Sequence, residues 1–408
     1  MFIPEYLDVT KIITTPKIKR LFDAVEEHGG TVRFVGGAVR DTLAGISGFD
    51  VDLATDLSPD ELVEACQENR LKTIPIGLKI DTIGVIIDEH IFEVSSLHRY
   101  KKHKNGKYNV EYTDDWSADA SQRDLTINAV YADLHGNVFD YYNGISDLKA
   151  GIVRFIGNPE DRIKEDYLRI MRFFRFHSRF GKTTINQEAL DACIKLKDGL
   201  RSIAIERVRD ELFKLLVTPN VTEVMRIIFE HNILGYFLPK VDNLQPLENL
   251  SAIIADSDYE GNFLRRLFIL YLPNVSQAEN MANTLRLTKK QKETFVKWAK
   301  IEMSAENIIT EAERTKFIYR YGKQFTIDKI LLTAAANDIK LPNIRHLLKD
   351  VENTIVPILP ICGKDVINKG FSGNQVSKIL SKLEQIWIDS NFTLNRNELL
   401  QLMQKPQY

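Results

Sequence analysis

The chain has 408 residues, of which 44% are hydrophobic and 27% charged, an ordinary globular composition that excludes a mainly disordered or collagen-like chain. At roughly 100–200 residues per domain this length predicts two to four domains. With 54 basic and 56 acidic residues the net charge is −2, which argues against a simple basic nucleic-acid coat and leaves room for a local basic surface.

Met1-Phe2-Ile3-Pro4-Glu5 lacks the basic start and apolar core of a secretory signal. No apolar run approaches the ~18–20 residues that a membrane span needs. Residues 31–140 read as a mixed α/β unit. Thr31 to Val35 is a strand pattern ending in Gly36-Gly37, and Ser58-Pro59-Asp60-Glu61 is a helix start with a capping serine. Asp81 to Ile87 and His90 to Ser95 read as a hairpin turning at Asp88-Glu89. Residues 98–121 read as a polar, mobile loop, and Leu125 to Leu134 as a strand-like or buried run. From Asn158-Pro159 onward helical periodicity dominates. One long helix is predicted over 159–180, capped by Asn158 and stopped by Gly181, with further helices at 203–217, 222–231, 262–272, 288–303, 324–337 and 373–387. Cys66, Cys193 and Cys362 are far apart and form neither a metal spacing nor a disulfide framework, so a cytoplasmic location is expected.

Three constellations carry chemistry. In the first, Asp50 and Asp52 fall two apart on a strand and share a face, while Phe49, Val51 and Leu53 share the other. Two carboxylates roughly 6–7 Å apart repel unless a cation sits between them, so a divalent metal pair is the economical explanation. Gly36-Gly37 offers backbone amides without a Cβ, and Arg40 a guanidinium fork, both suited to phosphate. Taken singly, these fragments are more often a glycine turn and an acidic edge strand. In the second, Arg123-Asp124 precedes the buried run and reads alone as a surface ion pair. In the third, Asp166, Arg169, Arg172 and Arg175 follow one another along the 159–180 helix among Ile170, Met171, Phe173, Phe174 and Phe176. Arginines amid so many aromatics point into a cleft rather than into bulk water; the plain alternative is a solvated amphipathic helix. Lys289, Lys290, Lys292, Lys297 and Lys300 form a candidate phosphate patch or, equally, a solvated helix face.

In this order the motifs resemble the class II tRNA nucleotidyltransferases, the CCA-adding enzymes and their poly(A) polymerase relatives, over nearly the whole chain and most like the bacterial type. The residues that carry the resemblance are Gly36-Gly37-Ala38-Val39-Arg40-Asp41, the Asp50/Asp52 pair and Arg123 to Ala129. Asp140-Tyr141-Tyr142-Asn143-Gly144, Glu165-Asp166-Tyr167-Leu168-Arg169 and Glu206 to Leu212 continue it, and the softer stretch from Gly363 to Trp387 ends it. The resemblance implies an α+β fold. An N-terminal nucleotidyltransferase head of mixed β-sheet and helices (1–150) would precede an all-helical neck (151–217) and body and tail (218–408). It implies that Asp50 and Asp52 are the catalytic ligands of Mg²⁺. Gly36, Gly37 and Arg40 would hold the triphosphate, and Arg123 and Asp124 the nucleotide, the aspartate at its ribose hydroxyl. Asp166 and Arg169 would act as a protein template for the base, with Arg172 and Arg175 as further nucleotide contacts. The implied partners are tRNA, CTP and ATP, with no membrane; the sequence indicates no oligomeric state.

Two departures stand out. Gln122 occupies the place of a usual second arginine, and Lys104-Asn105-Gly106-Lys107-Tyr108 that of a usual Asp-Gly-Arg-His segment associated with switching from CTP to ATP. No histidine is followed by Asp, so the phosphohydrolase module of longer relatives is not expected. Poly(A) polymerases and A-only or CC-only enzymes share the motifs, and a full-length loop at 98–121 argues against CC-only addition. A non-catalytic RNA-binding protein on the same fold is the rival of another class; the paired carboxylates argue against it.

Overall fold

The structure is a computed structural model that describes residues 16–46, 51–76, 81–102, 108–257, 259, 261–340 and 344–403. Its contacts divide the chain into two compact units, 1–239 and 240–408.

The strands of the first unit are β1 (Val32–Val35), β2 (Asp52–Thr55), β3 (Lys72–Pro75), β4 (Thr82–Ile87), β5 (His90–Ser96), β6 (His98–Lys102), β7 (Tyr108–Tyr112), β8 (Val130–Ala132) and β9 (Val138–Asp140). Among the described residues seven of them form one sheet in the order β3-β4-β5-β2-β1-β8-β9. Only β2 and β5 run parallel; the other pairs are antiparallel. Alternate residues face opposite sides of a strand, and both sides are covered here. Phe34 and Leu53 enter one core with Phe22, Leu62 and Val94. Val35 and Ala54 enter another with Leu97, Trp116 and Tyr131. The β4–β5 hairpin turns at Asp88 and Glu89, both with positive φ (44° and 70°), as a two-residue hairpin loop of matching twist requires.

The helices of this unit are α1 (Pro16–Glu27), α2 (Gly37–Leu43), α3 (Pro59–Glu68), α4 (Trp116–Gln122), α5 (Gly144–Ala150), α6 (Pro159–Glu165), α7 (Arg169–Phe180), α8 (Gln187–Leu196), α9 (Ile205–Leu216) and α10 (Val221–Glu230). Ser58 and Glu61 cap α3 reciprocally, as their spacing predicts. From Gly144 onward the described elements are all helical. The α/β head and helical remainder therefore match the sequence reading.

Two expectations need correction. Residues 98–121 are not simply a loop. β6 and β7 pair with each other, the cross-strand ion pair Arg99–Glu111 (2.8 Å) bridges them, and Asp115 caps α4. Residues 103–107, between them in sequence, lie outside the described residues. Nor is 159–180 one helix. Asp166 is extended (φ −151°, ψ 108°), its carboxylate accepts from Leu168 N (3.0 Å), and its carbonyl accepts from Arg169 N (3.0 Å). A short acidic side chain that bonds the backbone two residues on competes with the helix ladder, so α6 stops and α7 begins afresh.

In the second unit the expected helices appear as Phe263–Tyr271, Lys289–Lys300, Lys323–Ala336 and Asn374–Asp389. Phe268 packs edge-on against Phe295 and Trp298, with ring centroids 5.3 and 5.7 Å apart. A second cluster gathers Trp387, Phe371, Ile361 and Leu399. Of the lysine series, Lys297 lies over the Phe325 ring (4.5 Å) and Lys292 donates to Asn283 (2.7 Å). Among the described residues no helix is long and apolar enough to cross a membrane.

Gly144 joins the sheet to the helical part of the unit. Its N–H donates to Asp140 (2.9 Å), and a Cβ there would lie 2.2 Å from the Thr126 carbonyl oxygen. Gly144→Ala should therefore cost about 1–3 kcal/mol, as overpacking against backbone does, read as a lower urea midpoint.

Candidate active site

The site begins where β1 ends. Gly36 sits at φ 63°, ψ −118°, a conformation open to glycine, and a Cβ there would meet nothing closer than Arg123 Nη1 at 3.7 Å. Backbone geometry rather than crowding fixes this glycine. One turn along α2, Arg40 is buried. Its Nε and Nη2 grip Asp41 (2.7 and 2.6 Å), Nη1 donates to Asn128 (2.5 Å), and the guanidinium lies over the Phe176 and Phe180 rings. Burial pulls the Arg40 pKa down, and Asp41 opposes that fall. Asp52 opens β2 as its exposed residue, opposite in face to the buried Leu53. Asp50 lies outside the described residues.

Arg123 and Asp124 are not each other's partners. Arg123 turns to Tyr131 (Nε–Oη 3.1 Å) and Asp119 (Nη2–Oδ2 3.3 Å). Asp124 is buried: its Oδ1 accepts from Leu125 N and from Asn128 Nδ2 (2.9 Å each), and its Oδ2 from Arg172 Nε (2.6 Å). Burial pushes this carboxyl up, but the Arg172 charge and the bonds from Arg172 and Asn128 outweigh it and hold the group well below the usual carboxylate range.

The break at Asp166 separates the two members of the third constellation. Asp166 Oδ2 accepts from Arg207 Nη2 on α9 (2.8 Å), while Arg169 donates to Glu165 (2.7 Å) and to the carbonyls of Arg162 (3.1 Å) and Gln122 (3.2 Å). An ion pair three residues apart on a helix surface is thus not their arrangement. Further along α7, Arg175 Nε lies 2.7 Å from Glu211 Oε2, off a hydrogen-bonding axis, and Arg172 Nη1 lies 3.8 Å from Oε1. Burial draws Arg175 down to about 10, against the pull of Glu211, so it stays charged at neutral pH. Arg179 donates to Asp41 (3.1 Å), which ties the end of α7 back to α2.

These side chains line one cleft of about 640 Å³. The Gly36-Gly37 turn, Arg40 and Asp52 meet Arg123 and Asp124 there. Asp166, Arg169, Arg172 and Arg175 of the helical segment complete it. Every described residue that the sequence named for the site is therefore in it. The sequence reading missed Asn128, Phe176, Arg179 and Lys214, which also line the cleft. Arg179 had a signal, because it extends the Arg172, Arg175 row at helical spacing. Asn128 lay inside a quoted motif, but its bridge from Arg40 to Asp124 depends on a short 3₁₀ turn, Thr126–Asn128, that spacing does not reveal. Among the described residues no group of three or more His, Cys, Asp or Glu is placed to hold a metal ion.

Residues 32–154 match the family described as the poly A polymerase head domain. Residues 183–245 match a probable RNA- and SrmB-binding site of polymerase A. The mitochondrial CCA tRNA nucleotidyltransferase 1 of Mus musculus is 31% identical over 96% of this chain and 90% of its own length. The chain belongs to the CCA-adding tRNA nucleotidyltransferase family. A CCA-adding enzyme of Staphylococcus haemolyticus is 29% identical over 91% of this chain and 90% of its own. The fold is that of the Bacillus stearothermophilus CCA-adding enzyme crystallised with CTP, with a TM-score of 0.74 and 23% identity over 92% of this chain and 94% of the other. As a family member, the chain is a nucleotidyltransferase.

The depressed Asp124 pKa makes part of the stability acid-sensitive. A carboxylate held below its unfolded value, about 3.9, stabilises the folded state fully above that pH and loses its contribution as pH falls through the lower folded value. Asp124→Asn should be less stable than wild type at pH 7, and the gap should narrow below about pH 4; urea unfolding across that range measures it.

Proposed function

We propose that this chain adds C, C and A to the 3′ end of tRNA from CTP and ATP with Mg²⁺. The observation that carries the reading is the single cleft in which Asp52 and the Gly36-Gly37 turn of the head meet Asp166, Arg169, Arg172 and Arg175 of the neck. The terminal hydroxyl of the RNA attacks the α-phosphate in line, and pyrophosphate leaves. The work of the protein is then positioning and charge compensation. The Gly36-Gly37 backbone and the arginine side chains take the triphosphate. Asp124 has one acceptor site left on Oδ2 once its three protein donors are counted, enough for a ribose hydroxyl.

Asp52, together with Asp50, would hold the magnesium; carboxylate oxygens are the donors a hard dication prefers. Bound there as a pair, the ions would supply a lowered pKa at the attacking hydroxyl from one and compensation of charge on the triphosphate and leaving group from the other. We assign residues 1–150 to the transfer chemistry, 151–217 to base recognition and 218–408 to holding the tRNA, read mostly by shape and phosphate contacts. The thiols of Cys66, Cys193 and Cys362 are all unpaired, which fits a reducing compartment such as the cytoplasm.

Base choice follows from the donors and acceptors left over. Asp166 accepts one bond on each oxygen, so each keeps one acceptor site for an exocyclic amino group. Arg169 has both Nη1 hydrogens and one Nη2 hydrogen engaged, which leaves Nε–H and one Nη2–H for ring acceptors. Cytosine and adenine match that pattern. Uracil and guanine set a carbonyl against the carboxylate and an N–H against the guanidinium, a mismatch that rejects analogues by about 10⁴-fold in sites built this way.

The reading is tested with tRNAs lacking the last one, two or three nucleotides, each given single nucleoside triphosphates and mixtures. Addition of A alone at every end, or of an A tail, would favour an A-adding or poly(A) enzyme instead. Asp52→Ala should abolish addition while tRNA binding by gel shift stays near wild type. Asp166→Ala should raise UTP and GTP incorporation relative to CTP and ATP; wild-type selectivity with a slightly lower Tm would leave Asp166 a purely structural residue.

A further inference from the structure

Arg162, on α6, was not among the residues singled out by sequence. It is 8% exposed, and its guanidinium is aimed at main chain. Nη2 donates to the carbonyls of Gln122 (2.6 Å) and Arg123 (3.1 Å), and Nη1 donates to Glu165 Oε1 (2.8 Å). Glu165 Oε2 accepts from Arg169, which donates in turn to the Arg162 and Gln122 carbonyls. The bonds close on themselves: two guanidiniums, one carboxylate and the peptide carbonyls of α4's last residue and the one after it. One side of this ring carries Arg169. The other side is the backbone that leads directly into Asp124.

We propose that Arg162 is a positioning residue that sets the separation between the base-reading Arg169 and the Arg123-Asp124 arm. The inference rests on the functional reading above. Three observations support it. Both Nη2 bonds go to carbonyls, so they fix the path of the chain, while the Nη1 bond holds the Glu165 carboxylate that Arg169 also uses. They join segments 40 residues apart in sequence. And a buried guanidinium is costly to desolvate, a cost met here by bonds that join two segments of chain rather than by solvent. Its Nε has no hydrogen-bond partner among the described residues, and burial lowers its pKa, both signs of that cost. Gln122 takes part through its carbonyl, while its side chain donates to Ser121 (2.8 Å). The amide in place of a second arginine therefore leaves the ring intact.

The test compares Arg162→Met, which keeps the apolar stem and removes every donor, with Arg162→Lys, which keeps charge and can reach one carbonyl. On tRNA lacking only its terminal nucleotide, kcat for ATP should fall about 10²-fold in the methionine variant, as a displacement near 1 Å does. The ATP-to-GTP ratio should fall with it, the lysine variant should recover part of both, and the Kd for tRNA should stay unchanged. A lower Tm with wild-type kcat, KM and nucleotide ratio would overturn the proposal, because a merely structural residue gives that result. Should the methionine variant not fold, the lysine variant alone carries the same comparison. Wild-type protein that incorporates neither C nor A would overturn the functional reading and this inference together. Selective wild type with equally selective variants would overturn the inference alone.

Discussion

The packing around α7 depends on one constraint: the helix carries a row of largely buried guanidiniums, and each is paired with a carboxylate. Arg169 finds Glu165, Arg172 finds Asp124, Arg175 finds Glu211 and Arg179 finds Asp41. Those four acids come from α6, the turn before β8, α9 and α2. A buried charge left uncompensated costs several kcal/mol, so satisfying the row fixes how these elements meet. The cleft is what remains between them. Phe176 adds to the same logic, with Arg40, Arg172 and Arg175 within 4.2–5.5 Å of its ring. The negative face of an aromatic ring offers further compensation where no carboxylate fits.

The break at Asp166 is the second organising feature. Were 159–180 continuous, Asp166 and Arg169 would neutralise each other on a helix surface. Ending α6 at Glu165 turns the Asp166 carboxylate toward Arg207 and leaves Arg169 to the carbonyls of Arg162 and Gln122. The two side chains then keep complementary vacancies, acceptor on one and donor on the other, at one wall of the cleft.

Much of this was legible in the chain itself. The strand before Gly36, the Ser58 cap and the Asp88-Glu89 hairpin each rest on local chemistry, and local chemistry is what a sequence displays. Most of the described cleft residues, from Gly36 to Arg175, were legible for a different reason: unusual residue types recurred in a fixed order. What escaped depends on competition or distance. Helical periodicity runs straight through Asp166, and only the aspartate's bond to Leu168 N, against the helix ladder, decides otherwise. The pairing of β6 with β7 escaped because the polar, lysine-rich composition resembles a loop, and it is visible only once Arg99 faces Glu111. Asn128 and Arg162 act through partners 40 or more residues away, and no spacing rule reports such pairs.

The unequal burial of the ion pairs that α9 makes has a consequence for ionic strength. The Arg175–Glu211 pair has side chains only 15% and 7% exposed, whereas Arg207 and its partner Asp166 are 53% and 33% exposed. Mobile ions screen exposed charges over a Debye length of about 8 Å in physiological salt and reach buried pairs far less. Added salt therefore loosens the exposed Arg207–Asp166 pair before it loosens the Arg175–Glu211 pair that joins α7 to α9.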